Sequence, residues 1–275
     1  MLRSPEISAD AIWSDLQKIR ATKPLVHNIT NTVVQEFTAN ALLALGASPI
    51  MSDAVEEISE LVQIANAVNI NIGTPRPDSI PAMVEAIKAA RNLRKPIALD
   101  PVAVGATKLR RNLAQTLLDA ATPTVIRGNL AEVSTLGGMK WQGKGVDAGQ
   151  NLFDPVEVVQ RTAQQLGCVV VGTGEIDYAS DGDQVIAIAN GHLLLTRVTG
   201  TGCVATALIA AFLAIQSNPL IAAVHAMTLI GVTAEIAAEH SRTDGPASFQ
   251  MRFIDSFDKL SLQHLENRMR VTERR

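Results

Sequence analysis

The chain has 275 residues, of which 47% are hydrophobic and 19% are charged, and its formal net charge at pH 7 is -3. This balance is that of a globular protein with a sizeable core, and it excludes a strongly basic protein that binds nucleic acid or an anionic membrane surface. The two cysteines, Cys168 and Cys203, form neither a disulfide framework nor a metal-ligand spacing, which indicates a reducing compartment.

The sequence also argues against secretion and membrane insertion. Residues 1–5 open no apolar stretch of the kind that begins a secretory signal. The longest apolar run, residues 204–215, is far shorter than the roughly 20 residues that cross a bilayer. We therefore expect a cytoplasmic protein with no membrane and no nucleic-acid partner.

In chain order, two helices come first, one capped by Ser8 and one running from about Thr32 to Gly46. Short β-branched segments then alternate with longer helical periods. The predicted strands are 48–51, 68–72, 96–99, 124–126 and 168–171, and the helices between them are 54–65, 79–93, 106–120 and 155–166. This alternation predicts an α/β fold, with a mainly parallel central sheet and helices on both faces.

After Gly174 the pattern changes to short strands at 176–180, 184–189 and 192–196. The dipeptides Asp181-Gly182 and Asn190-Gly191 between them are typical of type I′ turns, so an antiparallel meander is predicted at one edge of the sheet. Helices follow at about 202–216 and 220–240, and residues 268–275 are predicted to form a solvated end. Since no linker or repeat interrupts the chain, we expect one domain over residues 1–275.

Polar and glycine-containing steps follow five of the predicted strands. They are Met51–Asp53, Gly73-Thr74, Asp100-Pro101, Arg127–Asn129 and Thr173-Gly174. Ligands bind at the carboxyl edge of open parallel sheets. Turn formation alone explains the glycines, but charged groups such as Asp100 and Arg127 need a partner beside apolar strands. A ligand-binding edge is therefore favoured over plain turns.

The segment Val198-Thr-Gly-Thr-Gly-Cys203 predicts an anion site. It opens an apolar helix, and its glycines allow backbone N–H groups to point at a ligand at the positive end of the helix dipole. Its spacing is neither that of a P-loop nor that of a dinucleotide-binding fingerprint. We expect a transferred phosphate group to lie at Gly200, Gly202 and Cys203.

Asn129 and Glu132 share one face of the first turn of a predicted helix. One interpretation is a capping box, in which Glu132 binds only the backbone of its own helix. The other is a Mg²⁺ site formed by Glu132 and by Asp100 from the neighbouring strand end. Convergence of two carboxylates on the edge that carries the anion site favours magnesium.

Seven short motifs, distributed over most of the chain, together resemble those of a known family. They are Leu25-Val-His-Asn-Ile-Thr-Asn31, residues 39–49, Asn71-Ile-Gly-Thr74, residues 99–107, Arg127-Gly-Asn-Leu-Ala-Glu132, residues 172–178 and Gly200-Thr-Gly-Cys203. In this order they resemble the hydroxyethylthiazole kinase family of the ribokinase-like superfamily. The resemblance implies phosphorylation of the hydroxyl of 4-methyl-5-(2-hydroxyethyl)thiazole by ATP and Mg²⁺, a salvage step towards thiamine.

The resemblance also implies roles for particular residues and a homotrimer that binds the thiazole between subunits. The implied residues are Arg127 and Thr173 for ATP, Met51, Gly200 and Asn31 for the thiazole, and Asp100 and Glu132 for the metal and phosphates. Two positions depart from the family pattern, because Ala103 and Ala247 replace expected glycines. A positive φ at either position would require the local loop to adjust.

Cys203 stands where related sugar kinases of the superfamily have an aspartate base. A thiol with an ordinary pKa of about 8.5 is only slightly ionised at neutral pH. We therefore expect Cys203 to be a modest base or a placeholder, and not an indispensable group.

Three other functions stay open on the sequence. A kinase for another small alcohol, such as a pyrimidine, would share the anion site, but residues 25–31 and Met51 favour the thiazole. A non-catalytic thiazole-binding relative is disfavoured by the intact Asp100, Arg127 and Glu132. A hydrolase with Cys203 as covalent nucleophile lacks a base that the sequence can tie to it. Residues 141–149, rich in glycine, are predicted to form a mobile loop over the site.

Overall fold

A computed structural model describes residues 6–139, 154–241 and 244–274. The predicted mobile loop at 141–149 lies outside these residues. The strands are β1 (Leu25–Ile29), β2 (Ser48–Met51), β3 (Ala67–Asn71), β4 (Ile97–Asp100), β5 (Val125–Asn129), β6 (Val169–Thr173), β7 (Asp177–Ser180), β8 (Val185–Ile188) and β9 (Val271–Arg274). The helices are α1 (Ala9–Thr22), α2 (Gln35–Leu45), α3 (Ile58–Ile64), α4 (Ser79–Asn92), α5 (Lys108–Ala120), α6 (Leu130–Leu136), α7 (Pro155–Leu166), α8 (Thr201–Leu213), α9 (Pro219–His240), α10 (Pro246–Lys259) and α11 (Leu262–Arg268), with a 3₁₀ helix at Leu193–Arg197.

The described strands form one nine-stranded sheet in the order β2-β1-β3-β4-β5-β6-β7-β8-β9. Strands β1 to β6 pair in parallel, whereas β7, β8 and β9 extend the sheet in antiparallel pairs. The prediction of a mainly parallel sheet with an antiparallel edge is therefore confirmed. Because the parallel strands all end at one edge, their last residues are brought together there.

The sheet separates two helical layers, each with its own apolar core. One layer contains α1, α2 and α8 to α11, and the other contains α3 to α7. Alternate residues of a strand enter opposite cores, as in β3, where Ala67 faces the first layer and Val68 and Ile70 face the second. Both faces of the parallel strands are buried, which explains why those strands are nearly continuous apolar runs.

Helix α9 is the most apolar long helix of the described chain. It has 22 residues, and an 18-residue window within it has a mean hydropathy of 1.8, which would suffice by length and composition to cross a membrane. However, 94% of that apolar window is buried inside the protein, against α8 and α10. Its composition is therefore explained by its place at the centre of a helical layer.

Two sequence predictions about the antiparallel edge are wrong. The predicted strand at 192–196 is instead replaced by the 3₁₀ helix Leu193–Arg197, and Nδ1 of His192, its N-cap, accepts a hydrogen bond from the N–H of Leu194. The partner of β8 is instead β9, which lies in the segment predicted to be a solvated end. Burial of Val271 against the first helical layer fixes that strand in place.

The predicted type I′ turn at Asp181-Gly182 is also wrong. A type I′ turn needs positive φ at both central residues, whereas here Gly182 has a φ of +103° and Asp181 is not among the residues with positive φ. The loop between β7 and β8 has four residues, since Ser180 pairs with Val185. The Asp181 carboxylate stabilises this longer loop by accepting hydrogen bonds from the N–H groups of residues 183 and 184.

A buried polar cluster ties α1 to α9. The carboxylate of Asp15 lies 2.9 Å from Nδ1 of His225 and also accepts hydrogen bonds from Lys18 and Gln216. Nε2 of His225 lies 2.8 Å from the carbonyl oxygen of Glu6. Burial alone raises the pKa of Asp15, but the hydrogen bonds from His225, Lys18 and Gln216 outweigh it and lower that pKa to about 2.

Candidate active site

The carboxyl edge of the parallel strands brings most of the predicted site residues into one row. Met51 ends β2, Asn31 follows β1, and Asp100, the Arg127 segment and Thr173 lie at the ends of β4, β5 and β6. Strands are spaced by about 4.8 Å, so Met51 lies roughly four strand spacings from Arg127. Arg127, Thr173 and Asp100 therefore cluster together, whereas Met51 stands apart at the edge strand.

Helix α8 begins directly above this row because two of its first glycines allow close packing. Gly200, the N-cap, has a φ of +93°, and a Cβ there would clash with Cγ1 of Val34. A Cβ on Gly202 would lie 2.5 Å from Nη1 of Arg127. Since real Cβ atoms do not approach so closely, glycine at both positions is what lets the helix N-terminus meet α2 and the Arg127 guanidinium.

The guanidinium of Arg127 lies between Thr173 and Asp100. Its Nη2 donates a hydrogen bond of 2.9 Å to Oγ1 of Thr173, and its Nη1 lies 4.0 Å from Oδ2 of Asp100. Its Nε is buried and has no hydrogen-bond partner among the described residues. A fixed cation at a helix N-terminus forms a site for an anion such as a phosphate.

Asp100 is the most buried charged group of the site, with 1% of its surface exposed. Its Oδ2 accepts a hydrogen bond of 2.9 Å from Oγ1 of Thr206, one turn after the start of α8. Burial raises the pKa of Asp100 to about 7, although the charge of Arg127 acts in the opposite direction. A cation bound beside Asp100 would favour its ionised form.

Cys203 lies against Asn31 and Asn71, which follow β1 and end the neighbouring strand β3. Nδ2 of Asn31 donates to Sγ of Cys203 at 3.3 Å and to Oδ1 of Asn71 at 3.1 Å. Burial, followed by the charge of Asp100, raises the pKa of Cys203 to about 11. With a pKa of about 11, the thiol holds its proton at physiological pH.

Glu132 forms the capping box that the sequence left as an alternative to magnesium binding. Its Oε2 accepts a hydrogen bond from the N–H of Asn129, while Oδ1 of Asn129 accepts one from the N–H of Glu132. Oε1 of Glu132 reaches the N–H of Ala103 at 2.7 Å. Glu132 thus fastens the loop after β4 to the start of α6.

The backbone conformation differs between the two positions at which alanine replaces an expected glycine. Ala103 has a φ of +54°, so this position does adopt the left-handed region that favours glycine. Ala247 lies in the first turn of α10 and is not among the residues with positive φ. Alanine is therefore placed in a conformation that favours glycine at position 103, but not at position 247.

The donor set fits a Mg²⁺ ion that is held largely by its water and by substrate phosphates. Among the described residues, no group of three or more His, Cys, Asp or Glu side chains could hold a metal ion. Mg²⁺ at kinase sites commonly uses only one or two carboxylates together with phosphate oxygens. Asp100 can supply one ligand, and Glu132, whose oxygens already accept two backbone N–H groups, fits an outer position.

A cavity of about 570 Å³ opens beside Arg127, between the antiparallel edge and α9. One part of its lining is polar and includes Arg127, Thr173 and Gly202 at the start of α8, together with the acidic residues Glu175 and Asp177. The other part is largely apolar and is formed by Leu193, Leu195, Asn190, Gly191, Met227, Ile230 and Gly231. A volume of this size and a lining of this kind suit a ligand with one anionic and one apolar end.

Two site residues were not singled out from the sequence. Asn71 is fully buried at the end of β3, where it pairs in register with Asp100, and Thr206 donates to Asp100 from α8. Asn71 was quoted only as the first residue of the motif at 71–74, with no role assigned to it, and Thr206 belongs to none of the motifs. The available signal was polar Asn69 and Asn71 within an otherwise apolar predicted strand, which is unusual for a strand buried on both faces.

A model of the family described as the hydroxyethylthiazole kinase family matches residues 16–263. The chain belongs to this family. A solved structure of the hydroxyethylthiazole kinase protein from Pyrococcus horikoshii OT3 is 39% identical in sequence and superposes with a TM-score of 0.87. The match covers 97% of this chain and 100% of that one. As a member of the hydroxyethylthiazole kinase family, the chain is a phosphotransferase.

More distant solved structures share the fold alone. A ribokinase-like superfamily protein from Enterococcus faecalis V583 is 14% identical with a TM-score of 0.61, and the match covers 94% of this chain and 91% of that one. The Bacillus subtilis pyridoxal kinase, solved as an ADP complex, is 17% identical with a TM-score of 0.57 over 77% of this chain and 91% of that one. The architecture of this hydroxyethylthiazole kinase family member is therefore ribokinase-like.

Proposed function

We propose that the chain transfers the γ-phosphate of ATP to the hydroxyl of 4-methyl-5-(2-hydroxyethyl)thiazole, a salvage step in thiamine biosynthesis. The observation that carries this proposal is the family match over residues 16–263. The geometry supports it, because the N-terminus of α8 lies between a nucleotide-sized cavity on one side and Asn31 on the other. Donor and acceptor would then meet at Gly200–Cys203.

The nucleotide is proposed to bind in the cavity beside Arg127. Its phosphates would lie against Arg127, Thr173 and Gly202, where a fixed cation and the N-terminus of α8 provide positive potential. Its base would occupy the apolar part of the lining, formed in part by Met227 and Ile230. The ADP and AMP-PCP complexes of the distant pyridoxal kinases are consistent with a nucleotide in this fold.

Positioning and charge neutralisation supply most of the acceleration in a phosphoryl transfer with a loose transition state. The N–H groups at the start of α8 would bind the charge that develops on the transferred group, and Arg127 would hold the nucleotide phosphates. Cys203, with a pKa raised by burial to about 11, holds its proton at neutral pH. We therefore assign it no essential proton transfer.

Asp100, with Glu132 in an outer position, is proposed to hold Mg²⁺. The ion would neutralise charge on the β- and γ-phosphate oxygens. Thr206 orients the Asp100 carboxylate by its hydrogen bond to Oδ2. Glu132 contributes by keeping the loop at Ala103 against the start of α6, and so fixes the backbone beside the phosphates.

The thiazole is proposed to bind at the Met51 end of the row, near Asn31 and Gly200, between subunits of a homotrimer. Met51 lies on the edge strand β2 and is half-buried. Four exposed apolar side chains lie on or beside the elements that follow β1 and β2, with exposed fractions between 41% and 67%: Val33, Leu43, Val55 and Ile64. A partner subunit that covers this surface would complete the acceptor site.

The remaining proposals concern the whole chain. We propose that residues 1–275 form one domain, which the continuous sheet from β1 to β9 supports. A cytoplasmic location is proposed from the same composition that indicated a reducing compartment. The proposed partners are the small-molecule substrates and other copies of this chain.

The test of the proposed function is the release of ADP by purified protein from Mg-ATP and hydroxyethylthiazole. Parallel reactions omit the thiazole or the magnesium, and product phosphate is identified on the thiazole by mass spectrometry. Release of ADP that requires both components is the expected result. Thiazole binding by calorimetry without turnover would instead identify a non-catalytic relative. Absence of both would contradict the thiazole and direct the search to other small alcohols.

A further inference from the structure

Four residues of α9 form a row along one face of the helix, at intervals of four positions. They are Met227, Gly231, Glu235 and Glu239. The first two line the cavity beside Arg127, whereas Glu235 and Glu239 lie about 6 and 12 Å further along the helix than Gly231. Both glutamates contact the C-terminal segment, which the sequence alone had suggested was a solvated end.

Gly231 allows the cavity wall formed by Asn190 and Gly191 to pack directly against the backbone of α9. A Cβ at this position would lie 2.5 Å from Cβ of Asn190 and 2.7 Å from the backbone carbonyl carbon of Asn190. Asn190 and Gly191 connect β8 to the 3₁₀ helix, and both line the apolar part of the cavity. The position of this connection therefore determines the shape of the proposed base-binding end.

The side chain of Asn190 connects three elements. Its Nδ2 donates to Oε1 of Glu235 at 3.0 Å and to the carbonyl oxygen of Arg268 at 2.7 Å. Its Oδ1 accepts a hydrogen bond of 2.8 Å from the N–H of Arg270. With 5% of its surface exposed, Asn190 directs its polar atoms to the protein and not to the cavity. It behaves as a fixed part of the wall.

Glu235 holds this wall from the helix side. Its Oε1 accepts hydrogen bonds from Nδ2 of Asn190 and from the N–H of Gly191, both at 3.0 Å. Nη2 of Arg270 approaches the same oxygen at 2.5 Å. The Glu235 side chain is 11% exposed, so its carboxylate is screened less than a surface ion pair. Three donors thus converge on one carboxylate oxygen just outside the cavity.

We propose that Glu235 is a positioning residue for the nucleotide: it fixes Asn190 and Gly191 as the wall of the base end and couples that wall to the C-terminal strand β9. This inference rests on the proposed nucleotide site. Glu235 does not line the cavity, and it acts through the two residues that do. Removal of the Glu235 carboxylate breaks its hydrogen bonds with the N–H of Gly191 and with Nδ2 of Asn190, so these two residues are no longer fixed in position. The phosphate-binding end of the cavity, with Arg127 and Thr173, is unchanged.

The chain contains a matched control for this proposal. Glu239, one turn further along α9, forms a bidentate ion pair with Arg268, with N–O distances of 2.7 and 2.8 Å. It therefore also ties α9 to the C-terminal segment and carries the same charge. Glu239 does not line the cavity, and its ion pair is with Arg268, whereas Glu235 accepts hydrogen bonds from Asn190 and Gly191. Glu235→Ala and Glu239→Ala remove comparable ties but differ in contact with the wall.

The experiment measures binding of ADP and of tripolyphosphate to each variant by calorimetry, without acceptor and without metal. Tripolyphosphate has no base, so it reports the phosphate end alone. In Glu235→Ala we expect the dissociation constant for ADP to rise by roughly 5- to 20-fold, as for one or two lost hydrogen bonds, with less than about 2-fold change for tripolyphosphate. In Glu239→Ala both constants stay within about 2-fold of the wild type.

Equal effects of the two substitutions on ADP, or equal effects of Glu235→Ala on ADP and tripolyphosphate, would overturn the proposal and indicate a general loss of stability. If Glu235→Ala does not fold, Arg270→Ala provides the second test, because it removes the cation that holds Glu235 and lies on the surface. It is expected to weaken ADP binding in the same base-dependent way. If the wild-type protein binds no ADP, the proposed nucleotide site is wrong. If the protein binds ADP but does not phosphorylate the thiazole, the proposed function fails while the ADP-binding test of Glu235 can still be interpreted.

Discussion

Ala103 stands where the family resemblance implies a glycine, and its backbone has the positive φ that favours one. Its φ of +54° places an alanine in the left-handed region, which costs an L-residue about 1 kcal/mol or more. The hydrogen bond from its N–H to Glu132 compensates for part of that cost by holding the loop in place. The conformation is thus maintained by a contact from α6, and not by the preference of residue 103 itself.

The substitution Ala103→Gly is expected to leave stability unchanged or to raise it by up to about 1 kcal/mol, because glycine adopts positive φ without the steric cost. Ala247→Gly restores the other family glycine but lies in a helix, so it should lower stability by up to about 1 kcal/mol. Urea unfolding of both variants measures the difference. Equal destabilisation by the two changes would contradict the role given to the backbone at residue 103.

Cys203→Ala is expected to keep kcat within about 10-fold of the wild type, because the thiol is neutral at pH 7 and removes no proton there. The pH dependence of kcat should also be the same in the two proteins below pH 9. Steady-state ADP release between pH 6 and 9 provides the measurement. A loss of several orders of magnitude in folded Cys203→Ala would require an essential thiol, as would an inactive but folded Cys203→Asp.

The site residues could be predicted only where they end a strand or open a helix. Asp100, Arg127 and Thr173 follow predicted strands, and parallel topology alone brings strand ends together. Asn71 ends β3 but lay inside the predicted strand 68–72, and the roles of Asn190 and Glu235 depend on a contact between segments 45 residues apart. Sequence spacing carries no information about such contacts without the three-dimensional structure.

At the scale of elements, the parallel strands and their helices were predicted because apolar runs and helical periods alternate along the chain. Strand β1 was not predicted as a strand, because His27 and Asn28 interrupt its apolar pattern although both are buried. Strand β9 was missed for a related reason, since Thr272, Glu273 and Arg274 have the composition of an exposed tail. Each depends on pairing with a distant strand, which local composition does not report.

Helix α1 is fastened to α9 by a contact whose strength depends on pH. The folded pKa of Asp15, about 2, lies below the ordinary value of 3.8. A depressed carboxylate pKa contributes stability that is fully present above the unfolded pKa and is lost as pH falls through the folded pKa. This contribution is worth about 2 kcal/mol at neutral pH and should disappear between about pH 4 and pH 2.

Asp15→Asn is therefore expected to unfold at a lower temperature than the wild type at pH 7, and the gap should narrow as the pH falls below 4. Thermal unfolding followed by circular dichroism between pH 7 and pH 3 measures this convergence. Asp183→Asn, at an exposed position of the loop between β7 and β8, is the control and should follow the wild type at every pH. A gap that is constant with pH would show that the Asp15 charge does not contribute.

At the scale of the whole molecule, the exposed side chains of Val33, Leu43, Val55 and Ile64, on or beside the two helices next to the edge strand β2, are the candidates for the interface of the proposed trimer. Ile64→Asp is expected to convert a trimer of 29.3 kDa chains into monomers, because a charge would be buried in the interface. The KM for the thiazole should then rise by more than about 10-fold, whereas ADP binding should be unchanged. Light scattering after gel filtration gives the mass.

Leu109→Asp is the matched control for this substitution. Leu109 is also an exposed apolar residue, but it lies on α5 and not beside the edge strand β2. Its replacement should leave both the mass and the thiazole KM as in the wild type. A wild-type protein that is already monomeric, or an Ile64→Asp variant that stays trimeric, would place the assembly surface elsewhere.

The two outer strands of the sheet have a consequence for the behaviour of the protein at high concentration. Open sheet edges are templates on which further strands add, and proteins avoid such growth with prolines and charges. Here β2 contains Pro49, which has no N–H to donate, and β9 presents Glu273 and Arg274. Neither edge is suited to accept a new strand, so the molecule should resist amyloid-like growth on partial heating. Replacing Pro49 by a β-branched residue would remove one of these two safeguards against aggregation.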